Sequence, residues 1–500
     1  MKVKGSVFLA VAVDKSVGEG VEPVRNVLEV KIKTLTPLWT GGVDRRMDRI
    51  HETGILGSLR WWYEAVVRGL GGTACDPSQH TCNFDHEKYR KSRAPDERQR
   101  LRDAGLCDVC QVFGATGWQR RFRLEILLPQ GAIDVTEGMF PSGRIYSGRK
   151  PGEYRAGGWF LVGGYYGELV LRFIGDKHVL CCEVLPTLQF MEKWGALGAK
   201  TSLGYGVFRI EQVTLDDSQD VEDNCRNLCA TSPVGHWWWD GVVADKVKPH
   251  EGILPALSNM FFARVRFRPD NKQWWEQFPE IKWLAQGRKV PQKEAIWLGD
   301  PKKQPPGPYE IQKSLPMERI KRWVECNDCF PLAPILKNFL RYKLLCSGNG
   351  ESDWCKFIFG TVRGQATICG YCGHSVNKEP SGGWRCPNGG ISLASTEVVR
   401  ESKRIQSKIR ISWAYKPEGK ESPEWEIRIW GWLPRNNSHQ NIPDVLRSIR
   451  QWLEQDNLEV KSPDGHIKVT FPKCSLRWWP DQTDLSDAFK ELRQAEVGAS

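Results

Sequence analysis

The chain has 500 residues, too many for one small domain and in the range of two to four. Hydrophobic residues make up 40% and charged residues 26%, which supplies real cores and excludes global disorder. Lys and Arg number 71 against 60 Asp and Glu, a formal net charge of +11, a balance consistent with a polyanionic partner and diagnostic of none.

Residues 27–35 alternate Leu28, Val30 and Ile32 with Glu29, Lys31 and Lys33, the pattern of a half-buried strand, which Pro37 and Gly41-Gly42 then end. A helix follows over 54–69. Leu56, Leu59, Tyr63, Val66 and Leu70 recur at helical spacing, and Arg60, Glu64 and Arg68, four apart, form an opposite stripe expected to be exposed. Residues 71–110 are a cysteine-bearing insertion. Phe122, Leu124, Ile126 and Leu128 alternate as a second strand and 168–174 read as a third. Residues 178–194 read as a helix with Pro186 placed to kink it, and 205–215 as a fourth strand. The order β-α-β-β-α-β is the ferredoxin-like arrangement.

Beyond an acidic, Trp-rich connector the order recurs: strands at 261–267, 408–415, 425–432 and 466–471, with helices at 332–345 and 444–455. Ile55-Leu56-Gly57-Ser58-Leu59-Arg60 is echoed by Ile335-Leu336-Lys337-Asn338-Phe339-Leu340-Arg341 with one residue inserted, as expected of a duplication. The expected fold class is α+β: two ferredoxin-like (RRM-like, βαββαβ) domains over 1–235 and 259–500, joined by a linker at 236–258. Insertions fall at 71–110, 287–330 and 366–400. No apolar run reaches the 18 or so residues of a membrane span. The stretch at 7–13 reads as a strand rather than a signal peptide, so a cytoplasmic protein with no membrane partner is expected.

Sixteen cysteines without an export signal do not suggest a disulfide framework, and their Cys-x2-Cys spacing points to metal. Cys75, Cys82, Cys107 and Cys110 supply four thiols in one insertion, the soft ligand set of a tetrahedral structural Zn²⁺, with His80 or His86 as substitutes. Cys369, Cys372 and Cys386 form a second set whose fourth ligand is Cys355 or His374. Cys326 and Cys329 are a third pair with no obvious completion. Closed thiolate sites stabilise a fold rather than activate water.

The Gly-rich loop at 195–206 runs Gly195-Ala-Leu-Gly198-Ala-Lys200-Thr201-Ser202-Leu-Gly204-Tyr-Gly206. It is not a P-loop: Ala199 stands where glycine must precede the lysine, and here a helix leads in and a strand leads out. What remains is a loop of small residues whose backbone a phosphate can approach at Gly198 and Gly204, with Lys200, Thr201 and Ser202 as donors. Arg45, Arg46 and Arg49 after the Gly-Gly turn, Arg60 and Arg68 on the helix, and Arg120 and Arg121 before the second strand could line one groove with it. Each of these arginines taken alone reads first as a solvated surface charge. The 23 tryptophans are often paired, as at Trp61-Trp62; most belong to cores or subunit contacts, with Trp61 a candidate to stack on an unpaired base. Catalytic constellations such as His-Glu-x-x-His or Gly-x-Ser-x-Gly are absent, and His51 is the lone weak candidate for a general base.

Leu35-Thr-Pro37-Leu-Trp39-Thr40-Gly41-Gly42 and Gly54-Ile-Leu56-Gly57-Ser58-Leu59-Arg60-Trp61-Trp62 resemble the opening motifs of RAMP proteins, specifically the first RAMP subunit of the type III-B CRISPR effector (Cmr) complex. The segment Cys107 to Trp118, the Gly195–Gly206 loop and Ala333 to Arg341 extend the resemblance, which spans about 35–210 well and 330–435 more weakly. It implies an RNA-binding, non-cleaving subunit at the head of a ribonucleoprotein, near the guide RNA 3′ end. The implied partners are guide RNA, single-stranded target RNA and other RAMP subunits. The rival within the superfamily is an endoribonuclease that processes guide precursors. The second half lacks a Gly-rich loop, which leaves RNA contact from it in doubt.

Overall fold

The computed structural model describes residues 26–479, except 45, 77–80, 148–151, 222–224, 226–227, 230–251, 298–305, 346–352, 363–365, 381, 389, 402–403, 435–444 and 463–467. Residues 7–13 and Trp237–Trp239 therefore lie outside it. Strand β1 (Asn26–Thr34) buries Leu28, Val30 and Ile32 completely, as their alternation requires. Helix α1 (Glu52–Gly69) buries Ile55, Leu59, Trp62, Tyr63 and Val66 against it. Strands β2 (Phe122–Ile133), β3 (Gly138–Ser147), β4 (Tyr154–Leu161) and β5 (Tyr165–Gly175) follow, then helix α2 (Leu185–Trp194) and β6 (Phe208–Leu215). An antiparallel sheet of order β2-β5-β1-β6 results, and α1 and α2 share its core.

The second half builds a larger sheet. Strand β7 (Met260–Phe267), helix α3 (Leu332–Phe339), strands β8 (Ile409–Ile411), β9 (Ala414–Tyr415) and β10 (Trp425–Trp432), helix α4 (Val445–Leu453), and strands β11 (Asn457–Lys461) and β12 (Lys468–Trp479) make one mixed layer. Its strand order is Cys329–Phe330, β9, β10, β7, β12, β11, with β8 also on β10. The protein is thus a mixed α/β fold.

The halves share side chains. Met260, Phe262, Trp430 and Trp432 complete the first core, while Phe140, Leu161, Tyr205 and Val207 enter the second.

Local departures from the sequence reading have physical causes. Pro186 does not break the helix expected at 178–194: helical backbone runs on from Lys177 to Trp194, with the proline directly after a π-helical stretch, Leu180–Val184. Strand 408–415 is broken between β8 and β9 because the Trp413 amide turns away to the Gly204 carbonyl, 3.2 Å off. The β3–β4 hairpin is hidden in the sequence by Gly138, Pro141, Gly143, Gly157 and Gly158, which erase the alternation. The expectation of a chain without disulfides is corrected: Cys181 bonds Cys225 and Cys182 bonds Cys229. Two adjacent thiols meet two that lie four residues apart, and all four are fully buried. Among the described residues no helix is long and apolar enough to cross a membrane.

Candidate functional site

The Gly-rich loop leaves the end of α2 and returns to β6, pinned along its length. Gly198 donates its N–H to Ser58 Oγ at 2.9 Å, Ala199 to the Trp39 carbonyl at 2.8 Å, and Gly206 to the Pro37 carbonyl at 2.9 Å. Lys200 takes a left-handed φ of 58° before the tight turn Thr201–Leu203. Its ammonium lies 4.4 Å from the Trp39 ring centroid, and burial lowers its pKa. Gly204 has φ of 93°, and a Cβ there would come within 2.5 Å of Trp413 Cδ1. Gly198 has φ of 77°, and its Cβ would meet the Trp39 carbonyl at 2.7 Å. Both glycines therefore let protein approach protein; the space expected for a phosphate at those two positions is filled by Trp39 and Trp413.

Side chains of the second half grip the same loop, and sequence reading named none of them for this role. Arg410 Nε donates to Thr201 Oγ1 at 3.2 Å, with its guanidinium 5.2 Å from the Trp61 ring and 4.8 Å from the Trp432 ring. Lys337 Nζ donates to the Ser202 carbonyl, and Trp413 Nε1 to the Leu203 carbonyl at 2.8 Å. Arg428 donates to the Gly195 carbonyl at 3.2 Å and to that of Glu192, holding the end of α2. The echo of Ile55–Arg60 at Ile335–Arg341 was the only sequence clue to Lys337; Arg410 and Trp413 lie in a strand pattern that says nothing of a distant loop.

The predicted arginines do not form one groove. Arg45 lies outside the described residues. Arg46 and Arg49 are exposed on the segment that follows Trp39, and Arg49 pairs with Glu52 at 3.3 Å. The Arg60–Glu64–Arg68 stripe is not exposed. Arg68 and Glu64 are each 7% accessible, because the cysteine-bearing insertion and the Pro255 segment cover them. Arg68 donates to the carbonyls of Pro255 and Cys75 at 3.1 Å, and Arg60 to the Gly114 carbonyl and the Cys110 sulfur at 3.3 Å. Arg120 and Arg121 stand at the other end of the sheet. Phe122 pairs with Gly175 beside Asn26, whereas the Gly-rich loop feeds Phe208 beside Thr34, about 26 Å away along β1. Arg121 pairs there with Asp176. Trp61 is half-buried beneath Arg410. His51 Nε2 lies 2.7 Å from Asp48, whose carboxyl the imidazole holds below its usual range.

Two thiol clusters could hold a metal ion. The sulfurs of Cys75, Cys82, Cys107 and Cys110 lie within 4.8 Å of one another, as do those of Cys369, Cys372 and Cys386. A hydrogen bond from Cys110 draws Cys107 down to about 5, and one from Cys369 draws Cys372 down to about 4, so each cluster already favours a thiolate. His86 packs edge-to-face against Phe84, and His80 lies outside the described residues. Cys355 is taken up in a disulfide and is no fourth ligand; His374 Nδ1 stands 3.3 Å from Cys372 Sγ. Cys326 is exposed while Cys329 is buried against the Tyr166 hydroxyl, so that pair makes no site.

Among solved structures, the chain is similar to Cmr1 from Pyrococcus furiosus in its apo form, at 12% identity and a TM-score of 0.34, covering 85% of this chain and 95% of that one. It is also similar to a chain of the type III-B Cmr-beta complex bound to cognate target RNA and AMPPnP in the presence of single-stranded DNA, at 13% identity and a TM-score of 0.32, covering 86% and 98%. No curated protein matches it. The RAMP superfamily model matches residues 31–209, the span that carries the first sheet, α1, α2 and the pinned loop. Over that span the chain is similar to the RAMP superfamily.

Proposed function

We propose that the protein is a non-catalytic, RNA-binding RAMP subunit of a type III-B CRISPR (Cmr) ribonucleoprotein. In this reading it acts in the cytoplasm, caps the head near the guide RNA 3′ end and helps hold single-stranded target RNA, with guide RNA and other RAMP subunits as partners. The strand orders β2-β5-β1-β6 and β9-β10-β7-β12, each with two helices, support two ferredoxin-like domains. The observation that carries the function is the Gly-rich loop. Its pinning at Gly198, Ala199 and Gly206 presents Lys200, Thr201 and Ser202 as donors fixed in advance, the requirement for gripping a phosphate. Arg46 and Arg49 are the arginines that remain exposed on the adjoining segment.

The four-thiol cluster suits a structural Zn²⁺, and Cys369, Cys372 and Cys386 suit a second with His374 as the nearest nitrogen. Such ions would tie loops together and leave no open position for substrate.

Full-length protein incubated with single-stranded RNAs of unrelated sequence should bind them with similar affinity and leave them intact, since backbone contacts carry no sequence information. Site-specific cleavage abolished by His51→Ala would establish the endoribonuclease instead, with His51 and Asp48 as its proton-transfer pair.

A further inference from the structure

Several buried or largely buried cations in this protein are paired with carboxylates. Arg68 has Glu64 at 3.3 Å, Arg319 has Asp134 at 3.0 Å, Arg98 has Glu183, and Arg264 and Arg428 share Glu426. Lys337 and Arg410 depart from that pattern. Lys337 is 2% accessible; among the described residues its ammonium meets the Ser202 carbonyl and, at 5.7 Å, the Trp159 ring. Arg410 is half-buried between Trp61 and Trp432, and its Nη1 is enclosed without a hydrogen-bond acceptor. Neither has a carboxylate within ion-pair distance among the described residues, and the two lean on successive residues of the Gly-rich loop, Thr201 and Ser202. Burial, then the guanidinium groups of Arg410 and Arg341, push Lys337 down to about 7. Burial alone pushes Arg410 down to about 10.

Removing a cation from water without a counter-charge costs several kcal/mol. The carboxylates that pair Arg68, Arg98, Arg264, Arg319 and Arg428 show an evident remedy, and it is not used here. An arriving anion supplies the missing charge, and the flanking indole rings keep the guanidinium plane oriented for it. We propose that Lys337 and Arg410 are the second half's contribution to a phosphate site at the Gly-rich loop, completed by Lys200 and Thr201 and occupied by a backbone phosphate of single-stranded RNA. The inference rests on the RNA-binding reading and adds to it: the second half, which has no Gly-rich loop of its own, holds RNA through the loop of the first.

The test uses the full chain and a single-stranded oligoribonucleotide with hydroxyl ends, titrated at two salt concentrations, with thermal melting of each free protein. Arg410→Gln and Lys337→Met should each weaken binding about tenfold, the scale of one lost charge-assisted hydrogen bond. Each should also make the salt slope shallower by about 0.7. Lys337→Met should melt above wild type, because the uncompensated charge is gone; a purely structural lysine would give the opposite shift. If that variant melts lower, Arg410→Gln decides. Wild-type affinity and slope in Arg410→Gln and Lys337→Met, alongside weakened binding by Lys200→Ala, would overturn this inference and leave the RNA-binding reading standing. A wild-type chain that binds no RNA at all would overturn both.

Discussion

A side chain at position 204 would need a φ of 93° and room 2.5 Å from Trp413 Cδ1 and 2.7 Å from its backbone nitrogen. Neither demand can be met by a β-branched residue without moving β8 off the loop. Gly204→Val should therefore cost about 3 kcal/mol in urea unfolding, from combined strain and overpacking; an unchanged midpoint would show that the loop yields freely. Lys337 makes a pH-dependent prediction. Its folded pKa of about 7 lies below the ordinary 10.5, so between those values the unfolded chain binds more protons than the folded one. Stability contributed at this residue thus rises from pH 7 towards pH 10, and its penalty is complete below 7. The stability gained by Lys337→Met should be largest in mildly acidic buffer and fade in alkaline buffer, a trend that denaturant melts at several pH values would read directly. At this scale the sequence was a partial guide. Lys200, Thr201 and Ser202 stood out for their glycine setting, whereas Lys337 and Arg410 did not, because what marks them is the absence of a carboxylate in three dimensions. Arg60 and Arg68 were placed on one helical face correctly, yet the residues that cover the face, Cys75, Cys110 and Pro255, come from separate parts of the chain.

Among elements, the cysteine-bearing insertion is both a metal candidate and the cover of α1. Replacing Cys107 and Cys110 together by Ser should remove one zinc equivalent by elemental analysis and open residues 71–110 to limited proteolysis, since metal binding and folding of such a unit share one free energy. Less than half an equivalent of zinc in gently purified wild type would contradict the site. Elements with a clean period were legible: β10 matches residues 425–432, β1 differs from expectation by one residue at each end, and β7 by one residue at its start. Those whose shape depends on partners were not. β11 is five residues long and exists by pairing with β12, and the break between β8 and β9 is set by Gly204 of the other half.

Across the whole molecule, the two halves pack together around a single loop. Trp413, Arg410, Lys337 and Arg428 reach over from the second half, while Phe140 and Leu161 of the first half's hairpin fill the second core. A recurring order of strands and helices is legible in the sequence; the closeness of the halves is not, because contacts between Gly195–Gly204 and Arg410–Arg428 span more than 200 residues of chain. The central claim is that this shared loop grips RNA by its backbone. Titrating single-stranded RNA at two salt concentrations against wild type, Lys200→Ala and Lys91→Ala, an exposed lysine on the insertion, tests it most directly. The account predicts weaker binding and a salt slope shallower by about 0.7 for Lys200→Ala alone. Indistinguishable affinities and slopes for all three proteins would contradict it, and would make the Gly-rich loop a turn and nothing more.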